Sequence, residues 1–498
     1  MVSQAYLPPH FVLFPMMAPG HIIPMMDIAR LLAQRGVIVT IFTTPQNASR
    51  FDSVLSRALH QSCLPIRIVH LQFPCREVGV PEGCENLDML SIDDVDVIFN
   101  FFDGIKMLQI QAEELFEELT PQPSCIISDM CFPWTIHIAQ KQGIPRIAFH
   151  GFSCFCLHCS HKIRTSKILE SVTSESEFFA VPDIPHHIEV NKAHIPVKME
   201  HERVKGFYEQ MVDAETRSYG VIINTFEELE GDYVKDFKKE KKDKVWCVGP
   251  VSLCNKDELD KAQRGNKAAI NEKLCLEWLD SQQPQSVIYV CLGSLCNLVH
   301  CQLAELALAL EASKKPFIWA IRGGERLQDL ENWIKEDGFE ERMRGRGILI
   351  RGWAPQVLIL SHPSIGGFIT HCGWNSTIEG ISAGVPLVTW PLFADQFLNE
   401  KLVCQVLKIG VSVGAEVPMK WGEEEKMGTL AKKEDIEKAI CMVMEEGDEE
   451  SEERRRKARE LGEMAKKAVE NGGSSHRNIS LLIEDIMQQA KASNSTGL

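Results

Sequence analysis

The sequence predicts an α/β protein with two domains, each built on a parallel sheet. Short apolar runs suited to buried strands alternate with helical patterns, first between residues 11 and 224 and again between residues 287 and 389. A polar stretch without an apolar period, residues 255–271, separates these two regions. The 498 residues are enough for two domains with substantial buried cores.

The first region begins with a strand, a helix and a second strand. Residues 11–14 are a short apolar run that suits a buried parallel strand, and residues 37–43 are rich in β-branched side chains. A helix is predicted between them at residues 22–34, because apolar side chains share one face and Gly36 follows its end. Later strands of this sheet are predicted at residues 125–128 and 221–224.

The second region repeats the alternation and then becomes helical. A helix containing residues 303–310 is predicted among strands at residues 287–291, 317–321, 348–350, 365–370 and 386–389. A highly charged helix is predicted at about residues 432–469, and an amphipathic helix at about residues 476–489.

Composition and charge exclude several classes of partner. The chain carries 53 Lys and Arg against 69 Asp and Glu, a formal charge of -16, which argues against nucleic acid or an anionic membrane. No apolar run is long enough to span a bilayer, and residues 1–9 lack the basic start of a signal peptide. The 17 cysteines show no framework spacing and are expected to be reduced thiols, so we predict a cytoplasmic protein without integral membrane association.

The most informative stretch runs from Trp353 to Gln396. The strand at residues 365–370 leads into a turn at His371, after which Asn375 or Ser376 can cap a helix. Ligands bind at the carboxyl ends of parallel strands, and the start of a helix offers free N–H groups and a positive dipole. We therefore predict an anion site here, to which His371 can donate a further hydrogen bond.

Other side chains in this stretch suit a nucleoside and a sugar. Trp353 offers a flat face for a base, and the Glu379 carboxylate can accept hydrogen bonds from ribose hydroxyls. Asp395 and Gln396 follow the end of the next strand, where they could bind sugar hydroxyls.

A candidate catalytic pair lies far away in the first region. His21 follows the first strand at the start of a helix, and Asp129 follows the strand at residues 125–128. The helix N-terminus disfavours a protonated imidazole, so His21 is expected to be mostly neutral near pH 7 and able to take a proton. Asp129 could bond the other ring nitrogen and fix the tautomer.

Other chemistries are less well supported. Cys156 and Cys159 have the spacing of half a zinc site, but no second ligand pair follows, so no metal is predicted. The GxGxxG fingerprint of NAD-linked enzymes and the GxxxxGK[ST] motif of P-loop proteins are absent from the sequence.

The stretch from Trp353 to Gln396 closely resembles, without a gap, the C-terminal signature of plant secondary-product glycosyltransferases of family 1. The resemblance covers nearly the whole chain, and the segments PEGCENLDML, FHGFSCFCLHC and VPDIP look like one plant subgroup. That subgroup acts on triterpenoids, steroids, flavonoids and cytokinins. The resemblance implies a GT-B fold, with two facing Rossmann-like doubly wound domains and the active site in the cleft between them.

The domain limits follow from the organisation of the chain and from this fold. We predict an acceptor-binding and catalytic-base domain at residues 1–250 and a linker at residues 251–277. A UDP-sugar-binding domain is predicted at residues 278–475. Residues 476–498 are expected to form a helix that packs back on the N-terminal domain.

The resemblance also implies a role for each residue that matches the signature. Trp353 stacks on uracil, and the backbone of Ala354 pairs with the uracil edge. The ribose is held by Gln356 and Glu379, the phosphates by Ser294, His371, Asn375 and Ser376, and the sugar by Trp374, Asp395 and Gln396. A final Gln goes with UDP-glucose in this family. Gly20 and Phe152 are expected near the acceptor.

These features predict a UDP-glucose-dependent inverting hexosyltransferase. His21 and Asp129 would act on a hydroxyl of a lipophilic plant metabolite, a triterpenoid or steroid sapogenin or a flavonoid, while the helix end and His371 take up the leaving group's charge. No cofactor or metal is expected, and the protein is expected to be a monomer. Two alternatives stay open: another UDP-sugar such as galactose or glucuronic acid, and a non-catalytic ligand-binding pseudoenzyme.

Overall fold

The computed structural model describes residues 8–60, 63–91, 95–195, 202–296, 298–322, 327–420 and 423–496. Residues 1–7 of the N-terminal stretch considered for a signal peptide lie outside this description. The strands of the described chain are β1 (His10–Phe14), β2 (Ile38–Thr43), β3 (Ile66–His70), β4 (Cys125–Asp129), β5 (Arg146–His150), β6 (Phe179–Ala180), β7 (Glu189–Val190), β8 (Gly220–Ile223), β9 (Val245–Cys247), β10 (Val287–Cys291), β11 (Phe317–Ile321), β12 (Gly347–Arg351), β13 (Ile365–Thr370), β14 (Leu387–Thr389) and β15 (Gly410–Ser412).

Helices cover the faces of the sheets and fill the connections between strands. They are α1 (Pro19–Ala33), α2 (Pro45–Ser49), α3 (Asp52–His60), α4 (Cys75–Val78), α5 (Val95–Glu117), α6 (Thr135–Gln142), α7 (Cys154–Ser166), α8 (Glu202–Arg217), α9 (Gly231–Glu240), α10 (Glu258–Ala262), α11 (Glu272–Asp280), α12 (His300–Ala312), α13 (Leu327–Asp337), α14 (Phe339–Arg342), α15 (Gln356–Leu360), α16 (Trp374–Ala383), α17 (Gln396–Lys401), α18 (Glu424–Met427), α19 (Lys433–Met444), α20 (Glu449–Val469) and α21 (Ser474–Thr496). None of the described helices is both long enough and apolar enough to cross a membrane.

The N-terminal sheet has the strand order β3-β2-β1-β4-β5-β8-β9 in the described chain, with every pair parallel. Successive strands are added toward one edge of the sheet from β1 to β3 and toward the other edge from β4 onward, so the strand order reverses between β1 and β4, where Phe14 pairs with Ser128. In doubly wound sheets such a reversal opens a crevice at the carboxyl ends of the strands. The residues that follow β1 and those that end β4 therefore meet at one place.

The C-terminal sheet is built in the same way. Its order is β12-β11-β10-β13-β14-β15 among the described residues, again parallel throughout, with the reversal between β10 and β13. The predicted architecture of two doubly wound parallel-sheet domains is confirmed. Short connections between strand and helix then bring the segments after β10 and β13 to a second crevice.

Several element boundaries differ from the prediction. α1 begins at Pro19, where the fixed φ of proline suits the first helical turn, so His21 lies inside the helix. The long charged helix is two helices, α19 and α20, because the chain turns at Gly447 with a positive φ of 80°. The polar stretch at residues 255–271 contains the short helix α10.

The last helix lies against the N-terminal sheet. Apolar side chains of α21, among them Leu482 and Ile486, are buried in the same core as β1 and α1. The Asp485 carboxylate of α21 accepts hydrogen bonds from Lys244 Nζ at 2.7 Å and from the Tyr219 hydroxyl at 3.0 Å.

Candidate active site

The carboxyl ends of the two sheets face each other across a cleft that contains a cavity of about 520 Å³. The cavity is lined from both halves of the chain. Its walls include every predicted site residue except Asp129, namely Gly20, His21, Phe152, Ser294, Trp353, Ala354, Gln356, His371, Trp374, Asn375, Ser376, Glu379, Asp395 and Gln396. The fold thus assembles residues that are far apart in the sequence at one site.

Asp129 lies behind His21 and orients its ring. The two side chains form a hydrogen bond of 2.7 Å between His21 Nδ1 and Asp129 Oδ2, although they are 108 residues apart. Asp129 is fully buried, and its Oδ1 accepts the backbone N–H of Cys131 at 3.0 Å. The carboxylate therefore holds the proton of His21 on Nδ1, which leaves Nε2 with a lone pair for a substrate proton.

The pKa of His21 shifts in the direction opposite to the prediction. Burial lowers this pKa. The charge and hydrogen bond of Asp129 and the charge of Asp395 together raise it by more than burial lowers it, so it lies above the ordinary value of 6.5. The helix N-terminus was predicted to keep the ring neutral, and this is wrong in direction because two carboxylates face it. Burial also raises the pKa of Asp395, to about 7.

The turn after β13 is shaped around the ring of His371. A Cβ placed on Gly293 or on Gly373 would lie within 2.5 Å of this imidazole, so a side chain at either position would force the ring to move. Burial lowers the pKa of His371 to about 4, so the ring is neutral at pH 7. His371 can therefore donate an N–H to a ligand but does not bring a positive charge.

The helix that follows the turn starts one residue before the predicted caps. α16 begins at Trp374 with Gly373 at its N-cap and with no side-chain cap, so the expectation that Asn375 or Ser376 caps it is wrong. Both side chains instead lie in the first helical turn. Asn375 and Ser376 line the cleft beside Ser294, so the positive end of the helix dipole lies where an anion site requires it, while the backbone N–H of Trp374 donates to the Asp395 carboxylate.

The predicted ribose ligands contact each other. Gln356 Nε2 donates to Glu379 Oε2 at 2.8 Å and to Ser376 Oγ at 3.1 Å. Glu379 is only 6% exposed. Trp353 and Ala354 line the same end of the cleft, and the indole Nε1 of Trp353 is buried without a hydrogen-bond partner among the described residues.

The predicted sugar ligands are partly used by the protein itself. The Trp374 indole is buried and donates to the backbone oxygen of Asn224 at 2.8 Å. Gln396 Oε1 accepts the backbone N–H groups of Leu392 at 2.7 Å and Phe393 at 3.0 Å. The amide NH₂ group of Gln396 is therefore the part of that side chain that is left for a sugar hydroxyl.

The two halves also touch across the cleft near the expected acceptor site. Asn375 Nδ2 donates to the backbone oxygen of Gly20, and Asn375 Oδ1 accepts from Asn224 Nδ2 at 3.3 Å. Phe152 lines this cavity and also a neighbouring one of about 610 Å³ under α7 and α8.

Sequence reasoning missed two residues that hydrogen-bond to predicted site residues, Asn224 and Arg264. Asn224 ends a predicted strand, so its place at the carboxyl edge of the sheet was a usable signal. Arg264 lies in the polar stretch between the domains, which has no local pattern that predicts a site. In the structure Arg264 is buried and bonded to Glu379.

The segment with the zinc-like spacing lies on α7. Cys156, His158 and Cys159 are buried there, and burial raises the pKa of the Cys159 thiol. Within the described ranges, no three His, Cys, Asp or Glu side chains are grouped as a metal site would need.

Known proteins share this arrangement over nearly the whole chain. The family described as UDP-glucoronosyl and UDP-glucosyl transferase matches residues 259–446. UDP-glycosyltransferase 73C25 of Barbarea vulgaris is 57% identical over 489 residues, which cover 98% of each protein. UDP-glycosyltransferase 73C3 of Arabidopsis thaliana is 57% identical over 487 residues, which cover 97% of each.

Solved structures agree with these relatives. Glycyrrhiza uralensis UGT73P12 superposes with a TM-score of 0.86 at 38% identity, covering 98% of each chain. Arabidopsis thaliana UGT89C1, complexed with UDP-L-rhamnose, gives a TM-score of 0.74 at 28% identity, covering 96% of this chain and 99% of the other. The predicted family, fold and enzyme class are confirmed: this chain belongs to the family 1 UDP-glycosyltransferases of plants, enzymes with the GT-B fold that transfer sugars from UDP-sugars.

Proposed function

We propose that this enzyme transfers glucose from UDP-glucose to a hydroxyl group of a lipophilic plant metabolite, a triterpenoid or steroid sapogenin or a flavonoid. One observation carries the catalytic part of the proposal, the 2.7 Å hydrogen bond between His21 and Asp129 at the wall of the donor cleft. It supplies an oriented base beside the residues that match the nucleotide-sugar signature.

The proposed reaction is a single displacement. The acceptor hydroxyl gives its proton to His21 Nε2 as its oxygen attacks the anomeric carbon. The bond from that carbon to the β-phosphate oxygen breaks, and its electron pair leaves with UDP from the opposite face. An α-linked donor therefore gives a β-glycoside, and Asp129 stabilises the imidazolium that forms.

The leaving UDP becomes more negative as the bond breaks. The N–H groups at the start of α16 and the positive end of its dipole stabilise this charge. His371 adds a hydrogen bond rather than a charge, because burial lowers its pKa to about 4. Ser294, Asn375 and Ser376 are the proposed side-chain ligands of the phosphates.

The donor sugar is proposed from Asp395 and Gln396. Both side chains line the cleft and are buried, with the amide NH₂ group of Gln396 left to donate and the carboxylate of Asp395 able to accept. This pairing suits the adjacent hydroxyls of a hexose. Trp353, Ala354, Gln356 and Glu379 are the proposed ligands of the uridine.

The acceptor class is proposed from the walls of the cleft near His21. They are largely apolar and include Met16, Phe102, Met130, Phe152 and Phe393. Apolar walls of this kind suit a lipophilic ring system. UGT73P12, at 38% identity, was solved with glycyrrhetinic acid 3-O-monoglucuronide, which supports a bulky ligand of this type.

The test combines a donor comparison with an acceptor screen. The protein is incubated with UDP-glucose, UDP-galactose or UDP-glucuronic acid, together with triterpenoid, steroid or flavonoid aglycones, and products are identified by mass spectrometry. A product 162 mass units heavier than its aglycone, formed fastest with UDP-glucose, is expected because addition of a hexose with loss of water gives about that increase. Preference for another donor, or no product from any of these aglycones, would contradict the specificity.

We expect transfer to fall at acidic pH. The base must be unprotonated, and its pKa lies above 6.5, so kcat/KM should decrease as the pH falls through that raised pKa. Asp395→Asn removes a carboxylate that raises this pKa and should move the acidic limb to lower pH. Asp213→Asn, at an exposed position, should leave the acidic side of the pH profile of kcat/KM unchanged. An unchanged profile in Asp395→Asn would contradict the effect of Asp395 on the pKa of His21.

Gln396 is also expected to stabilise the fold. Gln396→Ala leaves the buried N–H of Leu392 and the partly buried N–H of Phe393 without their acceptor, which should lower the free energy of unfolding by about 2–4 kcal/mol. Chemical denaturation measures this change. The exposed Gln283→Ala should change stability by less than about 0.5 kcal/mol, and equal stability of the two variants would refute the role.

We also propose that transfer needs no metal, since backbone N–H groups and the α16 dipole can meet the charge of the leaving group. Activity should be unchanged in EDTA and after Mg²⁺ is added back. Loss of activity in EDTA that Mg²⁺ restores would contradict this.

The domain limits 1–250, 251–277, 278–475 and 476–498 are likewise proposed. The end of the first sheet at Cys247 and the start of the second at Val287 support a linker between the two large domains. We further propose a cytoplasmic monomer. Light scattering that gives the 56.1 kDa of one chain, and a diffuse cytoplasmic signal from a fluorescent fusion, would support it.

A further inference from the structure

The polar segment between the two sheets places a buried cation beside the proposed ribose site. The Arg264 side chain is only 8% exposed. Its Nε donates to Asp27 Oδ2 at 2.7 Å, and its Nη1 donates to Glu379 Oε1. Asp27 belongs to α1 and Glu379 to α16, so one guanidinium joins the N-terminal half to the nucleotide-binding helix.

Arg264 has hydrogen-bonding capacity that the protein leaves unused. Its Nη2 is buried and has no hydrogen-bond partner in the described part of the chain, while the residue lines the cleft. A buried N–H without an acceptor is costly, and the cost is larger on a charged group. An oxygen atom of a ligand in the cleft would satisfy it.

The backbone around Arg264 follows the wall of the proposed nucleoside site. Gly265 has a positive φ of 98°, and a Cβ on it would lie 2.5 Å from the ring of Trp353. Ala269 N–H donates to the backbone oxygen of Trp353 at 2.8 Å. The segment is thus held against the residue on which the base would stack.

Glu379 and Arg264 together match the chemistry of a ribose hydroxyl. Each oxygen of the Glu379 carboxylate already accepts one bond, from Arg264 or from Gln356, and each keeps a second lone pair. A hydroxyl can donate to that carboxylate and at the same time accept from a guanidinium N–H.

We propose that Arg264 is a further donor-binding residue, whose Nη2 donates to a ribose hydroxyl oxygen of the UDP-sugar while Nη1 holds Glu379 in place. This inference rests on the proposed nucleotide site. It assigns to the interdomain segment a direct part in binding the donor.

Calorimetric binding of UDP, 2′-deoxy-UDP and 3′-deoxy-UDP to the full chain tests the proposal. Arg264→Gln should weaken UDP binding at least about tenfold, as expected for loss of a charge-assisted bond and of the support of Glu379. The same substitution should weaken binding less for whichever deoxy-nucleotide lacks the bonded hydroxyl. Arg264→Lys should also reduce the difference in affinity between UDP and that deoxy-nucleotide, because lysine lacks the planar guanidinium group.

Arg57→Gln is the matched control. Arg57 anchors the same segment through Asp260 and Gln263 without touching Glu379. Its UDP affinity should stay within about twofold of wild type, within ordinary additivity of distant sites. A loss in Arg57→Gln as large as in Arg264→Gln would show that only the order of the segment matters, which would overturn the proposal.

The remaining outcomes also decide. Equal weakening by Arg264→Gln for all three nucleotides, or no weakening, would overturn the ribose contact. If Arg264→Gln does not fold, Arg264→Lys carries the same comparison. A wild-type protein that binds no UDP would instead refute the proposed nucleotide site itself, which separates the two failures.

Discussion

Replacing His21 with alanine is expected to reduce kcat by about 10²–10⁴-fold or more, because general-base catalysis contributes about that much. The acceptor hydroxyl then has no group to take its proton as its oxygen attacks. UDP affinity should stay within about twofold, since His21 contacts Asp129 and not the residues proposed to hold the nucleotide. Steady-state kinetics and calorimetry on the same preparation measure both quantities.

The control for this variant is His137→Ala, an exposed histidine on α6. It should keep full activity. Full activity in His21→Ala would refute the mechanism, whereas wild-type protein that binds UDP without turnover on any acceptor would support the pseudoenzyme alternative.

Asp129→Asn is expected to lower kcat by up to about 10⁴-fold, the scale seen when an orienting carboxylate becomes an amide. The amide oxygen can keep the bond from Cys131 N–H, which turns its NH₂ toward His21 Nδ1. That arrangement favours the tautomer with the proton on Nε2, which is no longer a base.

The pH profile of the residual activity separates orientation from simple loss of structure. Without the Asp129 carboxylate the pKa of His21 falls, so the acidic limb should move to lower pH. Asp213→Asn, on the exposed side of α8, should change neither kcat nor the limb. Wild-type kcat in Asp129→Asn would contradict the proposed role.

Much of the donor half could be predicted from local sequence. The strand β13, the turn at His371 and the helix α16 follow one another within a short stretch, and each has a local signal in apolar runs and glycines. His21 and Asp129 could each be predicted at the carboxyl end of a strand. That the two meet depends on β1 pairing with β4, a long-range contact that no local pattern encodes.

Long-range packing also decided the electrostatics. The pKa of His21 is raised by the charge and the hydrogen bond of Asp129, and then by the charge of Asp395 from the other half of the chain. The sequence predicted Asp129 as the hydrogen-bond partner of His21, but the expected direction of the pKa came from the helix N-terminus, and no local pattern places Asp395 near this group. A pKa depends on every charge near the group, and those charges arrive from distant segments.

The sequence by itself determined the two parallel-sheet domains, the signature stretch and the residue types that suit a nucleotide-sugar site. Only the tertiary structure decided which atoms of those residues are still available. It bonds the Gln396 carbonyl and the Trp374 indole to backbone groups, and it brings Arg264 to Glu379 from a segment without any pattern. The physical reason is that residue type and periodicity are local properties, whereas occupied lone pairs, burial and ion pairs depend on which distant segments pack together.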